Sequence, residues 1–288
     1  MVIDKLYERV EKNGHVCVGL DTSLDYVPEY FKNKYNNEED IIFNFNKEII
    51  DATYDEIACF KVQIAYYEAL GLKGLRAYKR TLDYIKGLNA IVISDIKRGD
   101  ISSTAKMYAK AHFEGDFETD FITLSPYMGL DSIGPYFEYM KQKGKGVFVL
   151  VRTSNEGAKD IEFIESKEGK KVYEVVGQKL RDMGKNFLGN CGYSSIGGVV
   201  GCTHVDEATK LRKDLESMFF LIPGYGAQGG KAEDVALYLK NGNGGVVNSS
   251  RGILLAYRKQ NDERNFAKCS RKEVIRMKND ILQALNSK

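Results

Sequence analysis

Long hydrophobic runs are absent from this sequence. The longest apolar runs, at 147–151 and 218–222, are about five residues long, whereas roughly 20 are needed to span a bilayer. The amino-terminal stretch is charged at Asp4, Lys5 and Glu8, and it lacks the apolar core of a signal peptide. We therefore expect a cytoplasmic protein that has no membrane partner.

The sequence also lacks a strong net charge of either sign. Its 42 Lys and Arg residues nearly balance its 40 Asp and Glu residues, which leaves a formal charge of +2. This balance gives no electrostatic reason to expect nucleic acid or a membrane surface as the main partner. We therefore predict no nucleic-acid partner.

Histidine and cysteine are few and scattered. The three histidines show no metal-ligand spacing, so we expect no dedicated transition-metal site. The cysteines form no C-x-x-C pair, and most lie in apolar, strand-like stretches. We therefore predict buried, reduced thiols instead of disulfides. The five cysteines are Cys17, Cys59, Cys191, Cys202 and Cys269.

What the sequence does contain is an alternation of short apolar runs and amphipathic segments. The runs are continuously apolar, as is typical of parallel strands that are buried on both faces. Strand and helix repeated eight times favour an α/β fold, a single (β/α)8 TIM barrel, over an open doubly wound sheet. No G-x-G-x-x-G follows the first run, which weakens the dinucleotide-binding alternative. The runs span 15–20, 57–62, 90–94, 120–124, 146–151, 196–201, 218–222 and 244–247.

Two of the connections between strands are longer than the others. They cover 25–55, after strand 1, and 155–195, after strand 5, and both carry aromatic and apolar residues among the charges. We interpret them as folded insertions. With only 4 prolines and no low-complexity segment, nothing indicates a domain boundary, so residues 1–288 are predicted to form one domain.

Apolar spacing also locates some of the helices. Residues three or four positions apart share an apolar face over 74–88 and over 171–183, which predicts an amphipathic helix in each segment. Asp206 precedes another helix-like run, and we expect it to cap the amino terminus of that helix.

Polar side chains follow most of the apolar runs. In a barrel, the carboxyl ends of the strands share one rim, and active sites of this fold lie at that rim. Any strand must end in a polar turn, so each residue alone has an ordinary structural explanation. The convergence of carboxylates and ammonium groups at one rim favours a functional site. The polar positions are Asp21, Lys61, Gln63, Asp95, Lys97, Asp100, 152–155, 223–230 and 248–252.

The densest polar stretch is 94–100. In an extended strand Asp95 and Lys97 point to the same face, and Asp100 follows a glycine at which the chain can turn. Lys61 on the neighbouring strand is expected to come close, which gives an array of two ammonium and two carboxylate groups. The flanking carboxylates favour the protonated form of Lys97. A purely structural salt-bridge network is the alternative.

Two glycine- and serine-rich loops follow strands 7 and 8. Such loops commonly form a phosphate site in barrels. The glycines of 224–230 permit close backbone approach, and Gln228 and Arg251 can add side-chain donors. Two ordinary glycine turns are the alternative.

In these motifs the sequence resembles the longer, type 2 subfamily of the orotidine 5′-monophosphate decarboxylases. The resemblance covers almost the whole chain, and the motifs occur in the family order. The D-x-K-x-x-D element alone is shared with related sugar-phosphate barrels, whereas its combination with the two loops is specific. The matching stretches are 19–21, 60–63, 95–101 with Thr104, 152–155, 223–230 and 248–252.

The resemblance implies catalytic roles for four residues. Lys97 would be the general acid, Lys61 would pair with Asp95, and Asp95 would face the departing carboxylate. Asp100, with Ile101 and Thr104, would reach into the active site of the other subunit of a homodimer. The reaction implied is the conversion of orotidine 5′-monophosphate to UMP and CO2 in pyrimidine biosynthesis, without a metal or cofactor.

The resemblance also implies how the substrate is bound. Asp21 and Lys61 would contact the ribose hydroxyls, and Gln63 would lie beside the ribose or phosphate. Ser154, with Thr153 nearby, would contact the pyrimidine edge, and Pro223 would pack on the base. The 5′-phosphate would be held by Gln228 and Arg251, with Ser250 in the same substrate-binding loop.

Two alternatives remain for the activity. One is a magnesium-dependent decarboxylase or aldolase of sugar phosphates. Such sites use an acidic metal ligand soon after strand 2, where this chain has Lys61 and Gln63. The other is a nucleotide-binding barrel without activity, against which the intact set of Asp95, Lys97 and Asp100 argues.

Overall fold

The computed structural model describes residues 1–203, 205–226 and 229–287, and these contain a closed barrel of eight strands. Every strand pairs in parallel with the next, and β8 pairs with β1. This confirms the predicted TIM barrel. The strands are β1 Val16–Gly19, β2 Cys59–Gln63, β3 Ile91–Arg98, β4 Phe121–Leu124, β5 Gly146–Arg152, β6 Ser194–Val200, β7 Met218–Ile222 and β8 Gly245–Ser249.

Helices connect successive strands and surround the barrel. The α-helices are α1 Val2–Asn13, α2 Glu29–Lys32, α3 Glu38–Thr53, α4 Ala65–Glu68, α5 Gly71–Gly87, α6 Ser102–Phe113, α7 Phe137–Lys143, α8 Lys159–Glu162, α9 Val172–Gly184, α10 Val205–Asp214, α11 Ala232–Leu237, α12 Arg251–Leu254, α13 Ala256–Gln260 and α14 Phe266–Asn286. Short 3-10 helices lie at Leu24–Tyr26, Leu130–Tyr136, Glu156–Ala158, Lys185–Phe187 and Glu263–Asn265. The helices predicted at 74–88 and 171–183 are confirmed as α5 and α9, with small shifts at their ends.

The prediction that Asp206 caps a helix was wrong. Helix α10 already begins at Val205, so Asp206 lies inside its first turn. A carboxylate there still stabilises the helix, because it faces the positive end of the helix dipole.

The strands are buried on both faces, which is why their sequences are continuously apolar. Inward-facing side chains, including Phe121, Phe148 and Phe219, form one core inside the barrel. Helix α1 contributes Ile3 and Leu6 to this same core. A larger core lies between the strands and the surrounding helices. The interior is therefore filled, and open space is left at the carboxyl ends of the strands.

The two long connections are folded against the barrel. The connection after β1 holds α2 and α3, and Phe31 and Phe45 pack their rings 5.2 and 4.7 Å from the ring of Phe266 in α14. The connection after β5 holds α8 and α9. That both are insertions stays a prediction. Within the described residues, no helix is long and apolar enough to cross a membrane.

Candidate active site

A cavity of about 1000 Å³ lies at the carboxyl ends of the strands. It is the place at which the sequence predicts a site, and most of the predicted side chains line it. The lining includes Asp21, Lys61, Gln63, Asp95, Lys97, Thr153, Ser154, Pro223, Ser250 and Arg251.

Four charged side chains form a continuous chain of ion pairs in the wall of this cavity. The Nζ atom of Lys61 lies 3.0 Å from Oδ1 of Asp21 and 3.0 Å from Oδ2 of Asp95. The Nζ atom of Lys97 lies 2.6 Å from Oδ1 of Asp95. The order Asp21–Lys61–Asp95–Lys97 therefore alternates negative and positive charge. Lys61 and Asp95 are buried, whereas the Lys97 side chain remains 48% exposed and open to a ligand.

This alternation keeps the two buried groups charged. Burial by itself favours the neutral amine of Lys61, but the carboxylates of Asp21 and Asp95 raise the pKa of Lys61 well above its ordinary value. Burial likewise tends to raise the pKa of Asp95, and the Lys61 and Lys97 ammonium groups lower it to well below its ordinary range. The site thus holds a fixed carboxylate beside an accessible ammonium group.

The backbone around Lys97 differs from the extended strand that the sequence predicts. The pairing of β3 with β4 moves from Ser94–Ile122 to Arg98–Leu124, so four steps along β3 oppose two along β4. Lys97 has a φ of 44°, in the left-handed region that an L residue rarely adopts. A bulge of this kind re-aims side chains. The pairing of Asp95 with Lys97 therefore depends on an irregular backbone and not on strand alternation.

Thr123 in β4 holds this irregular segment in place. Its hydroxyl oxygen accepts the N–H groups of Ile96 and Lys97 at 3.0 and 2.9 Å, and its O–H donates to Oδ1 of Asp95 at 2.8 Å. Sequence reasoning missed Thr123, because a threonine within an apolar run resembles an ordinary strand residue. Its position at the carboxyl end of the fourth strand was the one available signal.

Asp21 and Ser250 meet across the pairing of β1 with β8. The Ser250 hydroxyl donates to Oδ2 of Asp21 at 2.8 Å. A Cβ atom on Gly19, the last residue of β1, would overlap the Ser250 side chain, so glycine is required for this approach. This hydrogen bond fixes the loop after β8 to Asp21, the first of the four ion-paired residues.

Three predicted residues lie away from the cavity of their own chain. Asp100 is half-buried, and its Oδ1 accepts the N–H of Ile101 at 2.8 Å. Ile101 and Thr104 are exposed at the start of α6. Within one chain, Asp21 therefore occupies the place in the array at which the sequence predicts Asp100. Gln228, the predicted phosphate ligand, lies outside the described residues.

The structure also shows the state of the cysteines and whether possible metal ligands come together. Four of the cysteines, Cys17, Cys59, Cys202 and Cys269, are buried as free thiols, and Cys191 is half-buried. Among residues 1–203, 205–226 and 229–287, no group of three or more His, Cys, Asp or Glu side chains could hold a metal ion.

Comparison with known proteins gives a consistent result. The model of the Orotidine 5'-phosphate decarboxylase / HUMPS family matches residues 14–265. A Clostridium tetani protein named orotidine 5'-phosphate decarboxylase is 88% identical over 288 residues, which is 100% of both chains. A Clostridium perfringens protein of the same name is 70% identical over 285 residues, 99% of each chain. The structure of Leishmania donovani OMP decarboxylase is 29% identical, with a TM-score of 0.75, and the match covers 96% of this chain and 98% of that one.

Proposed function

The chain belongs to the Orotidine 5'-phosphate decarboxylase / HUMPS family, and we propose that it converts orotidine 5′-monophosphate to UMP and CO2 in pyrimidine biosynthesis. The observation that carries this proposal is the chain of ion pairs Asp21–Lys61–Asp95–Lys97 in the wall of the cavity. It supplies the charges that this decarboxylation needs, in one place and in fixed order.

The reaction requires a cation and a proton at ring carbon six. The bond from this carbon to the carboxylate breaks, CO2 leaves, and the electron pair stays on a carbon that has no adjacent carbonyl to take it. The Lys97 ammonium stabilises this charge and then donates its proton to carbon six. One accessible ammonium group supplies both requirements, so the proposed reaction uses no metal ion or organic cofactor.

Asp95 supplies the second electrostatic contribution. Held ionised by Lys61 and Lys97, it faces the departing carboxylate and makes the bound substrate less stable than the transition state. Two unit charges about 4 Å apart at an effective dielectric constant near 20 interact by roughly 4 kcal/mol. Relief of that repulsion as CO2 leaves corresponds to about a thousandfold in rate.

The remaining side chains of the cavity bind the nucleotide. Asp21 and Lys61 bind the ribose hydroxyls, and Gln63 lies beside the ribose or phosphate. Arg251, exposed at the start of α12, and Gln228 hold the 5′-phosphate, with Ser250 in the same loop. Ser154 contacts the pyrimidine edge with Thr153 beside it, and Pro223 packs on the base. Binding of the remote phosphate holds the reacting ring against Asp95.

We further propose a homodimer in which Asp100, Ile101 and Thr104 complete the partner's site. Two large apolar side chains are exposed in this part of the chain: Met107 in α6 is 61% exposed, and Tyr127 is 81% exposed. Tyr127 follows Ser125, whose N–H donates to the Arg98 carbonyl oxygen at 2.8 Å. Exposed apolar side chains of this kind favour association with a second copy. The protein works in the cytoplasm as one barrel domain over residues 1–288.

The experiment measures the decrease in ultraviolet absorbance of orotidine 5′-monophosphate when it is mixed with purified, chelator-treated protein. We expect turnover at an undiminished rate after chelation. Tight UMP binding without turnover would instead indicate a binding barrel without activity. Activity restricted to a sugar phosphate with magnesium would replace the proposal with a magnesium-dependent enzyme.

A further inference from the structure

We propose that Arg152, Glu162 and Glu207 are positioning residues that hold Thr153 and Ser154 at the base-binding wall of the cavity. The inference rests on the proposed function, because that function assigns Ser154 to the pyrimidine edge. It adds that the connection after β5 sets the position of this contact through a buried ion cluster. We call these three residues the Arg152 cluster.

Arg152 is the centre of the cluster. It is the last residue of β5 and is only 1% exposed. Its Nη1 lies 3.0 Å from Oε2 of Glu162, and its Nε lies 2.8 Å from Oε2 of Glu207. A guanidinium that is buried this fully needs such partners, because an unpaired buried charge is strongly destabilising. The cluster therefore joins three separate segments, namely the end of β5, α8 and the start of α10.

The cluster also holds every polar backbone group of Thr153. Oε1 of Glu162 accepts the Thr153 N–H at 3.0 Å and the Thr153 hydroxyl at 2.7 Å. Nη1 of Arg152 donates to the Thr153 carbonyl oxygen at 3.0 Å. The two peptide groups that flank Thr153 are thus each hydrogen-bonded by the cluster, one at its N–H and the other at its carbonyl oxygen, and this fixes the backbone that leads into Ser154.

Ser154 also packs closely against the residue that follows β6. Gly201 follows β6 and donates its N–H to the Arg152 carbonyl oxygen at 2.8 Å. A Cβ atom on Gly201 would lie 2.7 Å from the Ser154 Cβ, so the absence of a side chain allows this close approach. Ser154 is therefore held between the Arg152 cluster and Gly201, which leaves it little freedom within the cavity wall.

Two aromatic rings pack against the Arg152 guanidinium. The guanidinium carbon of Arg152 lies 4.7 Å from the ring centre of Phe163 and 5.7 Å from that of Tyr173. Lys171 lies 3.9 Å from the same Phe163 ring, and its Nζ is 3.8 Å from Oε1 of Glu207. Two cations and two carboxylates thus balance in charge beside the half-buried Phe163 ring. A charge-balanced cluster with a buried guanidinium at its centre holds its members in a fixed geometry.

Glu162 connects the Arg152 cluster to the cavity. Glu162 and Ile161 in α8 line the cavity beside Thr153 and Ser154. A rigidly held polar group costs less entropy when it binds its partner, so pre-organisation of Ser154 increases affinity for the base. The cluster should therefore affect binding of the pyrimidine and not binding of the ribose phosphate.

The test compares two competitive inhibitors of turnover, UMP and ribose 5-phosphate, in Glu162→Ala. We expect the affinity for UMP to fall about tenfold, as for the loss of one hydrogen bond, and that for ribose 5-phosphate to change less than twofold. Glu162→Gln, whose amide oxygen can still accept from Thr153, should recover part of the loss. Glu165→Ala, an exposed glutamate of the same connection, is the matched control and should leave both affinities unchanged.

A second comparison asks whether Glu162 acts through Ser154. In a Ser154→Ala background, Glu162→Ala should weaken UMP less than twofold further, because the contact is already lost. Equal losses for UMP and ribose 5-phosphate, or full additivity with Ser154→Ala, would overturn the inference. So would wild-type UMP affinity in Glu162→Ala. If wild-type protein fails to turn over orotidine 5′-monophosphate, the proposed function itself fails, which is a separate result.

Discussion

The Nζ atom of Lys97 lies 2.6 Å from Oδ1 of Asp95, two residues earlier in β3. The pairing depends on a left-handed residue, since Lys97 has a φ of 44°. Such a conformation costs about 1 to 2 kcal/mol. The hydrogen bond from the Lys97 N–H to Thr123 helps to maintain it. Strain of this kind is typical of functional sites, where it sets the direction of a reacting group.

Removal of the Arg251 side chain should weaken phosphate binding specifically. In Arg251→Ala we expect the affinity for orotidine 5′-monophosphate to fall roughly 10- to 100-fold, the range for loss of a hydrogen bond between charged groups. The affinity for orotidine, which has no phosphate, should change little. The KM for orotidine 5′-monophosphate and the inhibition constant of orotidine measure the difference. Equal losses for the two would contradict the phosphate assignment.

Mixed dimers should test whether the active site is shared between two subunits, as proposed. Co-expression of Asp100→Asn and Lys97→Ala chains should recover about a quarter of wild-type activity, because half of the dimers are hybrids with one intact site of two. The control pairs Lys97→Ala with Asp95→Asn. These two residues lie in the same array of one chain, so no hybrid site is intact. Recovery in both mixtures, or in neither, would exclude the proposed arrangement.

His112 should make the fold less stable in acid. Burial, with a smaller contribution from Arg98, lowers the pKa of His112 to about 4. Because the unfolded pKa is near 6.5, the unfolded chain binds the proton more tightly, and stability is fully present above about pH 6.5. It falls as the pH drops towards 4, by about 3 kcal/mol in total.

The His112→Phe variant isolates this contribution. We expect the difference in unfolding free energy between wild type and variant to change across pH 7 to 4 in favour of the variant. Urea unfolding at several pH values measures it. His15 is also buried with a lowered pKa, and it contributes equally to both proteins. Parallel pH curves for the two proteins would show that His112 does not titrate as described.

Arg212 should stabilise the fold, because backbone carbonyl oxygens surround its guanidinium and accept hydrogen bonds from it. Its guanidinium donates to Met218 O at 2.8 Å and Gly244 O at 3.3 Å, and also to Leu215 O. Burial lowers its pKa to about 10. Arg212→Met removes these donors and should lower the unfolding free energy by about 2 to 3 kcal/mol. Thermal and urea unfolding measure the loss, and the exposed neighbour variant Lys213→Ala is the control. An equally small loss of unfolding free energy in both variants would show that Arg212 does not stabilise the fold in this way.

The fold could be predicted because buried parallel strands are continuously apolar. The run at 218–222 coincides with β7, Met218–Ile222. The run at 90–94 was too short, since β3 continues through Arg98. The last residues of β3, Lys97 and Arg98, are charged, and the register of β3 shifts against β4. Neither property can be recognised from a pattern of apolar residues. Apolar pattern therefore finds the core part of a strand and misses the part that carries chemistry.

The site was predictable where charge follows an apolar run. Lys61, Asp95 and Lys97 stood out because charged groups are rarely buried without a purpose. Thr123 and Glu162 did not stand out, because a hydroxyl or carboxylate becomes a positioning group only through partners that are distant in the sequence. The position predicted for Asp100 in the array is not met within one chain, where Asp100 does not line the cavity, and its proposed role requires a second subunit.

The proposed mechanism is tested by measuring kcat and UMP affinity together in Lys97→Ala. Because Lys97 is the proposed cation and proton donor, kcat on orotidine 5′-monophosphate should fall at least about 10⁴-fold. UMP affinity should stay within about tenfold of wild type, because the fold and the phosphate site are retained. Lys73→Ala, an exposed lysine of α5, is the control and should keep full activity. Near-normal kcat in Lys97→Ala would contradict the proposal that this ammonium protonates the ring.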